Sequence, residues 1–134
     1  MQADLLKGIK IVDFTTYAAA PCSVRMLADW GADVIKVEGF SGDPMRAFGA
    51  NLGDTPYTEE ENPVWEYENG NKRGISVDLK TEKGMEIMHK LLSEADAFVS
   101  NVRAASLDKL GLSYEKLHEK YPKLVVGVIS CYGL

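Results

Sequence analysis

Basic residues are the minority charge in this sequence: 15 Lys and Arg stand against 20 Asp and Glu, a net charge of −5 over 134 residues. A general nucleic-acid binder needs a broad basic face to neutralise phosphates, so the balance argues against that class. Long apolar runs are missing too. The longest, at 124–129, is far too short to cross a bilayer, and no membrane partner is expected. Cysteine is nearly absent: Cys22 and Cys131 form neither a CxxC nor a zinc-like spacing, no metal is expected, and each is read as a small buried thiol. Residues 1–4 carry no basic region leading into an apolar stretch, which makes cytoplasm the default location. His89 and His118 are the only histidines, each in a helical pattern among Lys and Glu, where a solvent-facing role is expected.

What is present is a core-forming composition, 46% hydrophobic and 26% charged, arranged as alternating strands and helices. Residues 8–14 read as a β-branched strand and 32–37 as a second. Between them lies a helix from Pro21 with Val24, Met26, Leu27 and Trp30 at helical spacing, stopped by Gly31. So short a strand–helix–strand unit demands a parallel pair. Residues 75–79 and 97–99 read as further strands, and Thr81 can cap a helix carrying Met85, Met88, Leu91, Leu92 and Ala95. Short helices are expected near 106–110 and 113–121. The run 124–129, apolar on both faces, reads as a central parallel strand. The fold class is α/β, a Rossmann-like doubly wound parallel sheet. Residues 39–73 interrupt it with turn signals at Gly42-Asp43-Pro44, Asp54-Thr55-Pro56, Glu61-Asn62-Pro63 and Asn69-Gly70-Asn71. So long a loop is expected to be lid-like or partner-wrapping.

In such sheets ligands sit beyond the carboxyl ends of the strands. The turn after the first strand, Thr15-Thr16-Tyr17-Ala18-Ala19-Ala20-Pro21, has no glycine, which argues against a dinucleotide fingerprint despite Glu38 at the end of strand two. No GxxxxGK[ST] P-loop occurs either. The small residues Ala18 to Ala20 permit either ligand approach at a helix amino terminus or close helix–strand packing. Arg46, Lys72, Arg73, Arg103 and Lys109 fall in the expected ligand-side loops, where a phosphate-bearing ligand would account for them. Asp13 and Glu38 suit catalytic carboxylates or acceptors for loop amides. No nucleophile–base pair is evident.

Several blocks together resemble the family III CoA-transferases. They are GIKIVDF at 8–14, APC at 20–22, LADWGADVIKVE at 27–38, GDP at 42–44, NKRGISVDLK at 71–80, NVR at 101–103, LDKLGL at 107–112 and SCYG at 130–133. The segment 61–72 resembles the branch acting on 2-hydroxyacids and aryl-lactates. The resemblance implies transfer of CoA from an acyl-CoA to a carboxylic acid, through an aspartyl thioester, by an interlocked homodimer. Residues 1–134 would then be a partial CoA-binding Rossmann-like domain of a longer enzyme, inactive alone, with no catalytic residue because the family's aspartate lies beyond Leu134. Tyr17, Ala18, Ala19, Lys72, Arg73, Asn101, Val102 and Lys109 are the implied coenzyme A contacts. Two departures stand out: Ala18 replaces a glutamine and Gly39 an arginine found in some members, leaving Arg46 as a substitute phosphate contact. An α-methylacyl-CoA racemase of the same fold, or a non-catalytic CoA-binding fragment, is the alternative.

Overall fold

The computed structural model describes residues 4–48, 62–131 and 133. Five parallel strands form one sheet: β1 (Lys10–Phe14), β2 (Asp33–Glu38), β3 (Arg73–Ser76), β4 (Ala97–Ser100) and β5 (Val125–Val128), in the order β3-β2-β1-β4-β5. Six helices connect them: α1 (Ala19–Asp29), α2 (Met45–Phe48), α3 (Pro63–Asn69), α4 (Glu82–Ser93), α5 (Ala104–Lys109) and α6 (Tyr114–Lys120).

Side-chain alternation along the strands sorts the helices onto two faces. Ile11 and Val34 pack with Val24 and Ala28 of α1 in one core. Val12, Val37 and Phe98 pack with Met88, Leu92, Leu107 and Leu117 of α4, α5 and α6 in the other. The chain passes from one face to the other between β3 and β4, so β1 and β4 flank the point where strand order reverses.

Local chemistry sets the element ends. After α1, Gly31 takes φ 100° while its N–H reaches Ala28 O and the Ala32 N–H reaches Leu27 O, a Schellman closure. Thr81 caps α4 as expected, its hydroxyl accepting from Gly84 N–H at 3.0 Å. Gly84 is required by contact: a Cβ there would lie 1.9 Å from the Asp78 carbonyl oxygen.

Several expectations are corrected. α1 begins at Ala19, two residues before Pro21, because Pro21 fits the first turn without needing a donor. β3 runs over Arg73–Ser76, earlier than 75–79; Val77 N–H makes one last bond to Glu38 O before the chain turns at Asp78. Among the described residues β5 pairs with β4, and Val125 is 66% exposed. Within 39–73 two helices form, α2 and α3, and α3 packs on α1. Residues 49–61 of the expected lid-like or partner-wrapping loop 39–73 lie outside the described residues. Cys131 is exposed in the loop after β5 and Cys22 is half-buried. His89 is half-buried and bonded to the Tyr121 hydroxyl at 3.0 Å, while His118 lies exposed against the Tyr114 ring.

Candidate functional site

The loops after β1 and β4 lie side by side at the carboxyl edge of the sheet, and one side chain joins them. Asn101 donates from Nδ2 to Thr16 O at 2.8 Å and accepts from Thr16 N–H at 2.9 Å. Both ends of its amide thus hold the first loop. The next residue, Tyr17, has φ 61°, a conformation that side chains with a Cβ rarely adopt, and its ring is 56% exposed. Ala18 and Ala19 follow, both exposed, and Ala18 offers α1 no side-chain cap. The start of this eleven-residue helix thus has no side-chain cap among the described residues, a setting suited to an anion. After Asn101 come Val102, Arg103 at the cap of α5 and Lys109 in its last turn, both cations exposed and without an ion pair among the described residues.

Beneath this crevice lies a buried charged lattice on the α1–α3 side of the sheet. Asp13, fully buried, accepts from Thr15 N–H and hydroxyl and from Lys72 Nζ at 2.8 Å. Lys72 Nζ also donates to Pro21 O and Asn69 Oδ1, both at 2.9 Å. An ammonium has three donors and all three are taken. Burial pushes the Lys72 ammonium below its ordinary pKa, with the Asp13 charge and hydrogen bond opposing that fall. Lys36, also buried, donates to Thr15 O at 2.8 Å and pairs with Asp43 Oδ2 at 3.1 Å. Asp43 Oδ1 accepts from Tyr17 N–H at 3.2 Å and from Met45 N–H at 3.0 Å.

Glu38 anchors the outer part. It accepts from Asp43 N–H at 2.9 Å and from Arg46 Nε and Nη2 at 2.9 and 2.7 Å. Burial raises its pKa, but these hydrogen bonds and the Arg46 and Lys36 charges outweigh that and hold it below the ordinary value. The Arg46 guanidinium lies 3.8 Å from the Trp65 ring centroid, so Arg46 is bound into the fold as well as half exposed. Asn62 ties α2 to α3: Nδ2 donates to Met45 O and Arg46 O, and Oδ1 accepts from Val64 and Trp65 N–H. Glu68 is buried with Oε2 unpartnered among the described residues, and burial, then the Asp43 charge, pushes its pKa up. Cys22 is likewise raised by burial and by Glu68, so it is no activated thiol.

The eight residues expected to touch a ligand therefore divide. Tyr17, Ala18, Ala19, Asn101 and Val102 belong to the two loops and the α1 start around the crevice, while Lys109 lies in the last turn of α5. Lys72 lies under it, consumed by internal bonds. Arg73 makes a bidentate pair with Asp33, the first residue of β2, and also lines a cavity of about 190 Å³ with Lys36, Arg46, Trp65 and Lys72. A cavity of about 160 Å³ between the sheet and α4 opens beside that pair, lined by Ile11, Ile35, Arg73, Ile87 and Leu91. Sequence reasoning passed over Lys36 and Asp43. Their only signal is a charge at an alternate position of a strand buried on both faces, followed by a Gly-Asp turn. Among the described residues no group of three or more His, Cys, Asp or Glu could hold a metal ion.

Comparison with known proteins places these features in context. The family model for CoA-transferase family III matches residues 6–134. An (R)-2-hydroxy-4-methylpentanoate CoA-transferase of Clostridioides difficile is 49% identical over 129 residues, 96% of this chain and 32% of that protein. A cinnamoyl-CoA:phenyllactate CoA-transferase of Clostridium sporogenes is 45% identical over 130 residues, 97% of this chain and 31% of that protein. Among solved structures, a CAIB/BAIF family protein from Brucella suis superposes with TM-score 0.79 at 36% identity, covering 92% of this chain and 32% of that one. A Mycobacterium tuberculosis protein in an orthorhombic crystal form gives TM-score 0.84 at 32% identity, over 99% and 36%. The chain spans about a third of the length of the curated relatives it matches.

Proposed function

The chain belongs to CoA-transferase family III, and from that premise we propose that its crevice between the loops after β1 and β4 binds the CoA moiety of an acyl-CoA, for transfer to a carboxylic acid of the 2-hydroxyacid class. The names of the two relatives, one a 2-hydroxyacid CoA-transferase and one acting on phenyllactate, support that acceptor class and favour transfer over racemisation. An aspartate carboxylate attacks the thioester carbonyl and expels CoA thiolate, leaving a mixed anhydride. The thiolate then attacks the aspartyl carbonyl, forming aspartyl-CoA and freeing the donor acid. The acceptor carboxylate and the same thiolate repeat the two steps in reverse, so the thioester free energy is retained. In this reading residues 1–134 supply binding and not the nucleophile, and two interlocked subunits complete the enzyme.

The observation that carries the reading is the geometry at the strand-order reversal: Asn101 after β4 ties down the loop after β1, beside an uncapped helix start at Ala18 and Ala19. Lys72, with its donors used, acts as a support beneath the crevice, and Arg73 takes no part. Calorimetric titration of CoA into the chain tests this. Binding is expected, and Lys109→Ala should weaken it about tenfold, the magnitude of one hydrogen bond to a charged group. Equal affinity of the two proteins would remove Lys109 from the site, and no binding by the wild type would remove the site. The chain alone is expected to show no CoA-transferase turnover.

A further inference from the structure

The left-handed turn at Tyr17 is held by charges that lie outside its own loop. An exposed tyrosine ring gives little packing to stabilise φ 61°, so the backbone must be fixed by its hydrogen bonds. Three consecutive residues are fixed. Thr15 O accepts from Lys36 of β2, both Thr16 backbone groups bond Asn101 after β4, and Tyr17 N–H donates to Asp43. Lys36 and Asp43 then close on each other at 3.1 Å, with side chains 2% and 0% exposed. A buried ion pair adds little net stability compared with an apolar pair. What this one does contribute is geometric: it clamps the first loop at Thr15 and Tyr17, on either side of the residue that Asn101 holds.

We propose that Asp43, with Lys36, is a positioning residue pair that holds Tyr17 in its left-handed conformation and so presets the crevice for the CoA moiety; the inference rests on the CoA-binding reading. Gly42 leads into the clamp with φ +72°, and the Asp43 N–H bond to Glu38 sets the carboxylate in place. The Gly-Asp-Pro segment is thus the far end of the ligand loop's support rather than a plain surface turn.

Two readouts test it. Hydrogen exchange at the Tyr17 amide reports the clamp directly, and CoA titration reports its consequence. Asp43→Asn should speed Tyr17 exchange at least tenfold and weaken CoA binding at least tenfold. In a Tyr17→Asn background, where the side chain tolerates the left-handed region, the same Asp43→Asn change should weaken binding less than threefold. Equal losses in both backgrounds would show a merely structural role and overturn the proposal, as would unchanged exchange at Tyr17. Should Asp43→Asn fail to fold, Lys36→Met/Asp43→Leu removes both buried charges and the acceptor for Tyr17 N–H, and carries the same expectations. Failure of the wild type to bind CoA would strike the CoA reading alone, while the exchange arm would still judge the clamp.

Discussion

Replacing Lys72 by alanine separates a support beneath the crevice from a direct phosphate contact. The ammonium is 2% exposed and its partner carboxylate, Asp13, is fully buried. Truncation leaves the Asp13 charge uncompensated and also removes the donor for Pro21 O and Asn69 Oδ1. Breaking a buried pair in this way costs about 3–5 kcal/mol. A domain of this size has roughly 5–15 kcal/mol in all, so the loss is a large share of its stability. At roughly 3–4 °C per kcal/mol, the melting temperature should fall by about 9–20 °C. Urea unfolding followed by circular dichroism measures the loss. Lys72→Met/Asp13→Asn removes both charges, keeps an acceptor for Thr15, and should recover most of it. CoA affinity of the folded Lys72→Ala protein should change less than threefold. A stable Lys72→Ala protein with tenfold weaker CoA binding would refute the reasoning, because a surface phosphate contact behaves that way.

Gly84→Ala places a methyl group 1.9 Å from the Asp78 carbonyl oxygen, and backbone cannot yield as a flexible side chain would. A loss of about 3 kcal/mol, near the upper end of ordinary overpacking, is expected in the same urea assay; a loss under 0.5 kcal/mol would contradict the close approach of α4 to the turn before it. Glu68→Gln addresses a buried acid whose pKa is raised in the folded state by burial and the Asp43 charge. A raised acid contributes stability below its unfolded pKa and loses that contribution as pH rises through the folded value. The stability of Glu68→Gln relative to wild type should therefore grow as pH rises above about 4, read as melting temperature; parallel profiles would contradict a buried Glu68 whose pKa is raised.

Much of this architecture was legible because local chemistry and tertiary packing agree. The Gly31 stop, the Thr81 cap and the apolar spacing of Met88 and Leu92 each name their element before any contact is known. The misses have physical causes. Asn62-Pro63 reads as a turn pair, yet it is the cap and first residue of α3, a helix stabilised by tertiary bonds from Asn62 to α2 rather than by periodicity. Lys72 and Arg73 are adjacent in sequence and look like one basic patch. At the start of a strand their side chains diverge, one to Asp13 under the crevice and one to Asp33 at the opposite end. The φ of Tyr17 left no trace at all, since the residue type argues against it.

The most direct test of the crevice is to map it. Backbone amide shifts recorded while CoA is titrated into the isotope-labelled chain should move at 16–20 and 101–109, around the strand-order reversal. They should stay still at Lys10, Asp33, Arg73 and Leu91, beside the cavity at the opposite end of the sheet. Shifts confined to that second group, or none at saturating CoA, would contradict the placement of the ligand between the loops after β1 and β4.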